Sequence, residues 1–299
     1  MKSAMKSTGN SASSKSLRRL LAAFAIFFAC TAFAQNEEAS AEPIRPVTAA
    51  YMLEAGGANI INTYLTPLEY TGWNAAFNYE RMQAMKFNPD NWVMRLTSGI
   101  DIARTDNPAK NAELWRLVAD FSWGMAHRWH LPKNVTLAIG GSTGLDLGCV
   151  YSTRNGNNPV AVEAAWTLNL TGYATWNVKL WRIPITLRYQ PTLPVVGAFF
   201  SPDYGELFYE ISLGNHSGLA HAAWWGNYFR MENLITADLH LGATSLRLGF
   251  RSNILSTQVN HITTRVMTNS AVIGISGEWM SINPRKKLNS KARIISALY

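Results

Sequence analysis

The stretch 115-WRLVADFSWGM-125 alternates large apolar side chains with polar ones, residue by residue. Its odd positions are Trp, Leu, Ala, Phe, Trp and Met, while its even positions include Arg116, Asp120 and Ser122. Successive side chains of a β-strand point to opposite faces of the sheet. The pattern therefore predicts a strand whose two faces meet different surroundings.

The same alternation recurs along most of the chain, separated by turn-forming sequences such as 88-NPDN-91 and 154-RNGNNP-159. Repeated period-2 segments of about ten residues are typical of an antiparallel transmembrane β-barrel in an all-β protein. A weaker pattern at 258–267, together with the terminal segments, brings the predicted count to about twelve strands, within a range of 10–12. The ten clear stretches are 73–80, 92–102, 115–125, 135–140, 162–171, 183–190, 206–213, 232–241, 245–251 and 273–279.

The charged residues on the polar faces favour an enclosed lumen over contact with bulk water. The bases at strand centres are arginines, whereas lysines such as Lys110 and Lys133 fall in turns or at strand ends. Arginine can pair bidentately with carboxylates in a confined space, where lysine acts as a point charge. The predicted lumen-lining residues are Glu80, Arg95, Asp101, Arg116, Asp120, Glu163, Arg188, Glu210, Glu232, Asp238, Arg247 and Arg251.

The spacing of aromatic residues on the apolar face favours lipid on the outside. Trp115 and Trp123 are eight residues apart, which is roughly 26 Å along a strand at ~3.3 Å per residue. A tilt of ~40–45° reduces this to roughly 19–20 Å, close to the ~25 Å apolar band that aromatic girdles flank. A soluble periplasmic β-protein, with these aromatic residues in its core, is the alternative.

The N-terminal segment predicts export. Five basic residues precede the apolar run 20-LLAAFAIFFACTAFA-34, which ends in the small-residue pattern that signal peptidase reads. We therefore expect a cleaved signal peptide at 1–34, a flexible lead-in at 35–50, and the barrel at 51–281. A basic tail or closing strand follows at 282–299. The predicted location is the outer membrane of a Gram-negative bacterium.

The net charge of +8 gives little support to nucleic-acid binding. Removing the five basic residues of the signal and the five of the tail from the total of 27 leaves 17, against 19 acidic residues. The expected partners are outer-membrane lipid and the barrel-insertion machinery, with the oligomeric state left open. Cys149 is the only cysteine after the signal, and the histidines show no ligand spacing, so neither cofactor nor metal is expected.

One group of residues resembles a catalytic pair. His216 precedes Ser217, and Asn227 follows ten residues later. A histidine can deprotonate a serine hydroxyl that attacks a lipid ester, but adjacent residues of an extended strand point to opposite faces. We therefore expect no enzyme, with a membrane-embedded lipid hydrolase as an alternative, and read 217–229 as a loop.

Three stretches resemble a family of exported Bacteroidetes proteins, the domain-of-unknown-function family 3316. They are 64-YLTPLEYTG-72, 201-SPDYGELFYEISLGN-215, and the pair LRLGF and VIGISGEW within 246–279. The resemblance implies an outer-membrane β-barrel of unknown function, and it supplies no catalytic or binding residues. The basic ending in Tyr299 departs from the usual ending of such barrels.

The expected function is a narrow, porin-like channel for small polar solutes, or a structural and anchoring barrel. Because acids outnumber bases on the polar faces, a conducting pore should prefer cations.

Overall fold

The computed structural model describes residues 43–203, 205–206, 208–214, 218–242, 244–280 and 293–298. The predicted signal peptide, the lead-in up to residue 42, and residues 282–292 of the tail lie outside this part of the chain. Among the described residues, no helix is long and apolar enough to cross a membrane.

The described chain is almost entirely antiparallel β-structure, with strands of up to 21 residues. The described residues also include one short helix, α1 (Phe208–Ser212). The strands are β1 (Val47–Asn62), β2 (Thr66–Ala84), β3 (Trp92–Asp106), β4 (Glu113–Leu131), β5 (Val135–Ser152), β6 (Val160–Leu180), β7 (Ile183–Phe200), β8 (Ala220–Ala223), β9 (Tyr228–His240), β10 (Thr244–Val259) and β11 (Ile262–Trp279).

Ten strands close into a ring. Strands β1 to β7 pair in sequence, β7 then pairs with β9, and β9, β10 and β11 lead back to β1. The closing pair runs antiparallel from Val47 opposite Trp279 to Asn62 opposite Thr264. Strand β8 pairs only with the end of β7 and lies outside the ring. The barrel class is therefore shown, with ten strands instead of about twelve.

Two predicted features of the strand pattern are wrong. Residues 206–213 do not form a strand, because the segment turns into α1, where the backbone N–H of Leu213 donates to the carbonyl of Tyr209 at 3.1 Å. Residues 258–267 are no separate strand either. They span the end of β10, a two-residue turn at Asn260 and His261 with φ of 52° and 62°, and the start of β11.

Strand β1 was not among the ten predicted stretches and keeps the ring at ten strands. Its alternation is hard to recognise in the sequence. The strand begins at Val47, inside the range 35–50 read as lead-in, and it is rich in alanine and glycine. Small residues blur the alternation of apolar and polar side chains. Gly56 is required here, since a Cβ would lie 1.9 Å from the carbonyl oxygen of Asn269 on β11. The described tail residues 293–298 contribute only an isolated bridge to Ile44, not a closing strand.

The two faces of the wall differ as the alternation predicts. On β4, Leu117 is 51% exposed and Phe121 is 45% exposed, while Arg116 and Val118 are buried. Large apolar side chains cover the outside on the other strands of the ring as well. In lipid, only helices and closed barrels satisfy every backbone hydrogen bond. A closed ring with an apolar exterior and charged interior is the arrangement of a membrane barrel.

The two ends of the barrel differ in their connections. The end at which β1 begins and β11 finishes, here called the terminal end, carries the connections 85–91, 132–134, 181–182 and 241–243. The opposite end, here called the loop end, carries the long segment 201–227 with α1 and β8.

A charge placed on the outer face tests whether that face meets lipid. Replacing Ile100, near the middle of β3, by arginine should lower the free energy of unfolding by ~2–4 kcal/mol in lipid vesicles. The same change at Leu131, the last residue of β4, should cost only roughly 0–1 kcal/mol. Urea unfolding in vesicles measures both, and equal costs at the two depths would contradict a lipid-facing belt.

Candidate functional site in the barrel interior

A layer of ion pairs crosses the barrel in its terminal half. The Glu80 carboxylate accepts from Arg95 Nε at 2.7 Å, from Arg188 Nη2 at 2.8 Å and from Arg247 Nη1 at 2.7 Å. Arg247 also donates to both oxygens of Asp238, at 2.6 and 2.7 Å. These five residues come from β2, β3, β7, β9 and β10, and we call them the Glu80 layer.

The Glu80 layer is buried, and its burial determines how it affects the stability of the barrel. The side chains of Glu80, Arg188, Asp238 and Arg247 are each at most 2% exposed. Removing charges from water is costly, and only close, hydrogen-bonded pairing offsets that cost. Each member therefore depends on its partners, and the layer fixes the inward faces of five strands relative to one another.

A second set of ion pairs lies nearer the loop end. Arg116 bridges Asp101 and Glu163, each at 2.8 Å. Arg251 pairs with Glu54 at 2.9 Å and with Glu232, and Arg230 pairs with Asp146 at 2.5 Å.

These pairs surround a cavity of about 150 Å³, here called the chamber. Its wall carries six carboxylates and four guanidinium groups, a formal charge of −2. Asp120 lines the chamber and makes no hydrogen bond or ion pair with any residue that the structure describes. The charged lining residues are Glu54, Arg95, Asp101, Arg116, Asp120, Asp146, Glu163, Arg230, Glu232 and Arg251.

The tail closes the terminal end. Ala297 and Leu298 are buried against an apolar cluster from the barrel wall. Arg128 holds them by donating to the carbonyl oxygens of Ser296 at 2.7 Å and Ala297 at 3.0 Å, and also to those of Pro89 and Asp90. The wall residues of the cluster are Met82, Val93, Ala126, Ala138 and Tyr173.

The turn between β1 and β2 closes the loop end. Leu65 packs inside the wall with Ile60, Leu114 and Val150, which are all buried. The Tyr64 hydroxyl donates to the carbonyl of Glu206 at 2.6 Å and accepts from Asn158. Burial raises the pKa of Tyr64, so this hydroxyl stays a donor at every physiological pH. Apolar packing therefore narrows the barrel interior at both ends.

The structure places eleven of the twelve predicted lumen residues on inward faces of β-strands. Glu210 is the exception, because it lies exposed in α1 outside the barrel wall, so its prediction is wrong. Whether the other eleven line a conducting path stays a prediction. Cys149 is a free, half-buried thiol on β5.

Several interior residues were missed. Glu54 lies on β1, outside the ten stretches of clear alternation, and Arg230 lies on the inward face of β9 near its start. Arg230 carried a usable signal, since Tyr228, Arg230 and Glu232 continue the period-2 pattern upstream. His216 and Ser217 lie outside the described residues. Within the described residues, no group of three or more His, Cys, Asp or Glu is placed to hold a metal ion.

A family model described as "Protein of unknown function (DUF3316)" matches residues 19–286. The chain belongs to this family. A comparison with curated protein sequences found no match.

The solved structures that this chain matches differ widely from it in sequence. The translocator domain of autotransporter NalP from Neisseria meningitidis is 10% identical at a TM-score of 0.35, with 89% of this chain and 98% of that chain covered. The outer membrane protease OmpT from Escherichia coli is 6% identical at 0.39, with 82% and 99% covered. A Pseudomonas aeruginosa FadL homologue is 8% identical at 0.29, with 79% and 90% covered. Likenesses this weak carry no argument, so the barrel rests on the strand pairing of this chain.

The Glu80 layer makes a prediction about stability. Glu80→Gln leaves three guanidinium groups facing a neutral side chain, so the free energy of unfolding should fall by about 3–5 kcal/mol. The matched control is Glu113→Gln, which removes the carboxylate from the exposed pair with Arg104, also at 2.7 Å. That change should leave stability almost unaltered because water screens exposed pairs. Urea midpoints compare the two, and similar losses would show that the layer has no special role.

Proposed function

We propose that this protein is a narrow conduit for small polar solutes in the bacterial outer membrane, closed in the conformation described. The apolar exterior supports placement in a membrane, and the absence of lysine from the inward strand centres fits a confined polar interior. The observation that carries the proposal is the chamber, a cavity of about 150 Å³ within the wall whose lining includes ten charged side chains.

A chamber of this kind is costly for a barrel that serves only as an anchor. Buried charges destabilise a protein unless they are paired, and an apolar interior of similar volume is often as stable or more so. Here six carboxylates surround a cavity with only four guanidinium groups. We infer that the polar lining is kept because it contacts a solute.

The closures differ in strength, and this suggests where the conduit opens. The terminal closure consists of Ala297 and Leu298 in the apolar cluster, and Arg128 holds this segment through the main-chain carbonyl groups of Ser296 and Ala297. No strand pairing fixes residues 293–298 beyond the bridge between Ile44 and Ile294. Such a segment can leave the barrel without breaking the wall, so it is the movable closure of the proposed conduit.

A structural or anchoring barrel is the second candidate. The observation in its favour is the Glu80 layer, because cross-barrel ion pairs block the interior even if residues 293–298 move. The lipid hydrolase and its residues His216 and Ser217 gain no support from the described geometry. A lipid-ester assay with Ser217→Ala remains its test.

Removal of the terminal closure tests the conduit. In planar bilayers, the wild-type barrel should be closed for most of the recording. A variant that stops after residue 292 should open more often, and its current should favour cations because the chamber is net acidic. Lys110→Ala, in an exposed loop-end turn, is the control and should behave as wild type.

Gel mobility with and without boiling establishes that each protein is folded. If the folded truncated variant never conducts, the conduit fails and the anchoring barrel is supported. A permanently open or anion-selective wild-type pore would also contradict the proposal.

A further inference from the structure

The chamber wall gathers hydrogen-bond acceptors above Gly99. A Cβ on this glycine would lie 2.3 Å from Asn78 Oδ1 and 2.6 Å from Asp120 Oδ1, so both oxygens crowd the same point. Asn78 uses its amide nitrogen to donate to Glu54 Oε1 at 2.9 Å, and its oxygen accepts no hydrogen bond from a described residue. Two acceptors facing each other need a donor between them.

Two further asparagines in the chamber wall also have side-chain oxygens without a hydrogen-bond donor. Asn169 is only 8% exposed and lines the chamber, yet its side-chain oxygen accepts no hydrogen bond among the described residues. Its nitrogen contacts Ser142 Oγ at 3.4 Å. Asn253 on β10 also lines the chamber with an unsatisfied side-chain oxygen. A buried acceptor without a donor is costly, so the wall around the chamber is short of hydrogen-bond donors.

The arginines of the wall do not supply those donors, because each is paired elsewhere. Arg116 serves Asp101 and Glu163, Arg251 serves Glu54 and Glu232, and Arg230 serves Asp146. Asp120 meanwhile lies directly opposite Asp146 in the pairing of β4 with β5. Arg230 compensates the charge of Asp146 at 2.5 Å, whereas Asp120 has no hydrogen-bonded cation among the described residues.

We propose that the chamber binds a small organic cation with several N–H donors, a primary alkyl ammonium or a short diamine. Its ammonium group would contact Asp120 and Asn78, and its methylene chain would lie along Val118, Phe199 and Leu255 of the lining. The cavity of about 150 Å³ matches a ligand of roughly six heavy atoms, since an engineered cavity of that size holds benzene. This inference rests on the proposed function, because it names the class of solute that the conduit would pass.

The size and charge of the chamber determine which small molecule is used to probe binding. 1,4-Diaminobutane has six heavy atoms and two positive charges, which match the formal charge of −2. Butane-1,4-diol has the same length without charge, and butane-1,4-dioate carries the opposite charge. Titration calorimetry of the purified full chain in a neutral maltoside detergent compares the three. Because the barrel interior is narrowed at both ends, each probe is added both after folding and during refolding.

The expected result is binding of the diamine with no measurable binding of the diol or the dioate. Asp120→Asn should weaken diamine binding at least tenfold, because it removes the unpaired charge and keeps the shape. Gly99→Ala should weaken it as strongly, because the added methyl group occupies the point between the two oxygens. The matched control Asp106→Asn, at the exposed end of β3, should bind as wild type.

The proposal is overturned if the folded wild type binds no diamine under either regime, or binds the diol as tightly. It is also overturned if Asp120→Asn binds the diamine as wild type does, with folding of every variant checked by gel mobility. The conduit is tested by current and this site by binding. Binding without conductance would remove the conduit and keep the site, whereas conductance without binding would do the reverse.

Discussion

The carboxylate of Glu80, shared among Arg95, Arg188 and Arg247, is the interaction on which the rest of the interior depends. A membrane barrel must turn its apolar side chains outward, which leaves the opposite side of every strand to face the other strands across a narrow interior. Charged groups there are far from water, so each must find a partner. The Glu80 layer meets this demand by joining strands that are distant in sequence, and it separates the chamber from the terminal end.

The chamber and the two closures follow from the same constraint. Where arginines and carboxylates match, they pair and fill the interior, but around Asp120 and Asn78 the acceptors exceed the donors and a space remains. The apolar clusters at the two ends shield this space. The terminal one is completed by Ala297 and Leu298 from the far end of the chain, so a segment outside the strand ladder covers that end of the barrel.

The alternation from Trp115 to Met125 predicted both the strand and the assignment of its faces, because a period of two leaves no freedom in which side chains share a face. The preference for arginine over lysine predicted an interior of ion pairs on the same basis. The pattern failed where the side chains on the two faces of a strand do not differ, and where alternation occurs outside a strand. Residues of β1 around Gly56 are small on both faces, and residues 206–213 alternate although Phe208–Ser212 form the helix α1 at the loop end. Nor could spacing show that Glu80 meets Arg247, 167 positions away, or that Arg128 holds the tail, since both depend on closure of the ring.

The most direct test asks which face of β4 meets lipid. In a background where Cys30 and Cys149 are serine, single cysteines placed in turn along 115–125 carry a fluorophore, and spin-labelled lipids in the vesicle quench it. Quenching should be strong at odd positions such as Leu117 and Phe121 and weak at even positions such as Val118 and Asp120. Uniform quenching, or a pattern with the even positions in lipid, would contradict a barrel with its charges enclosed.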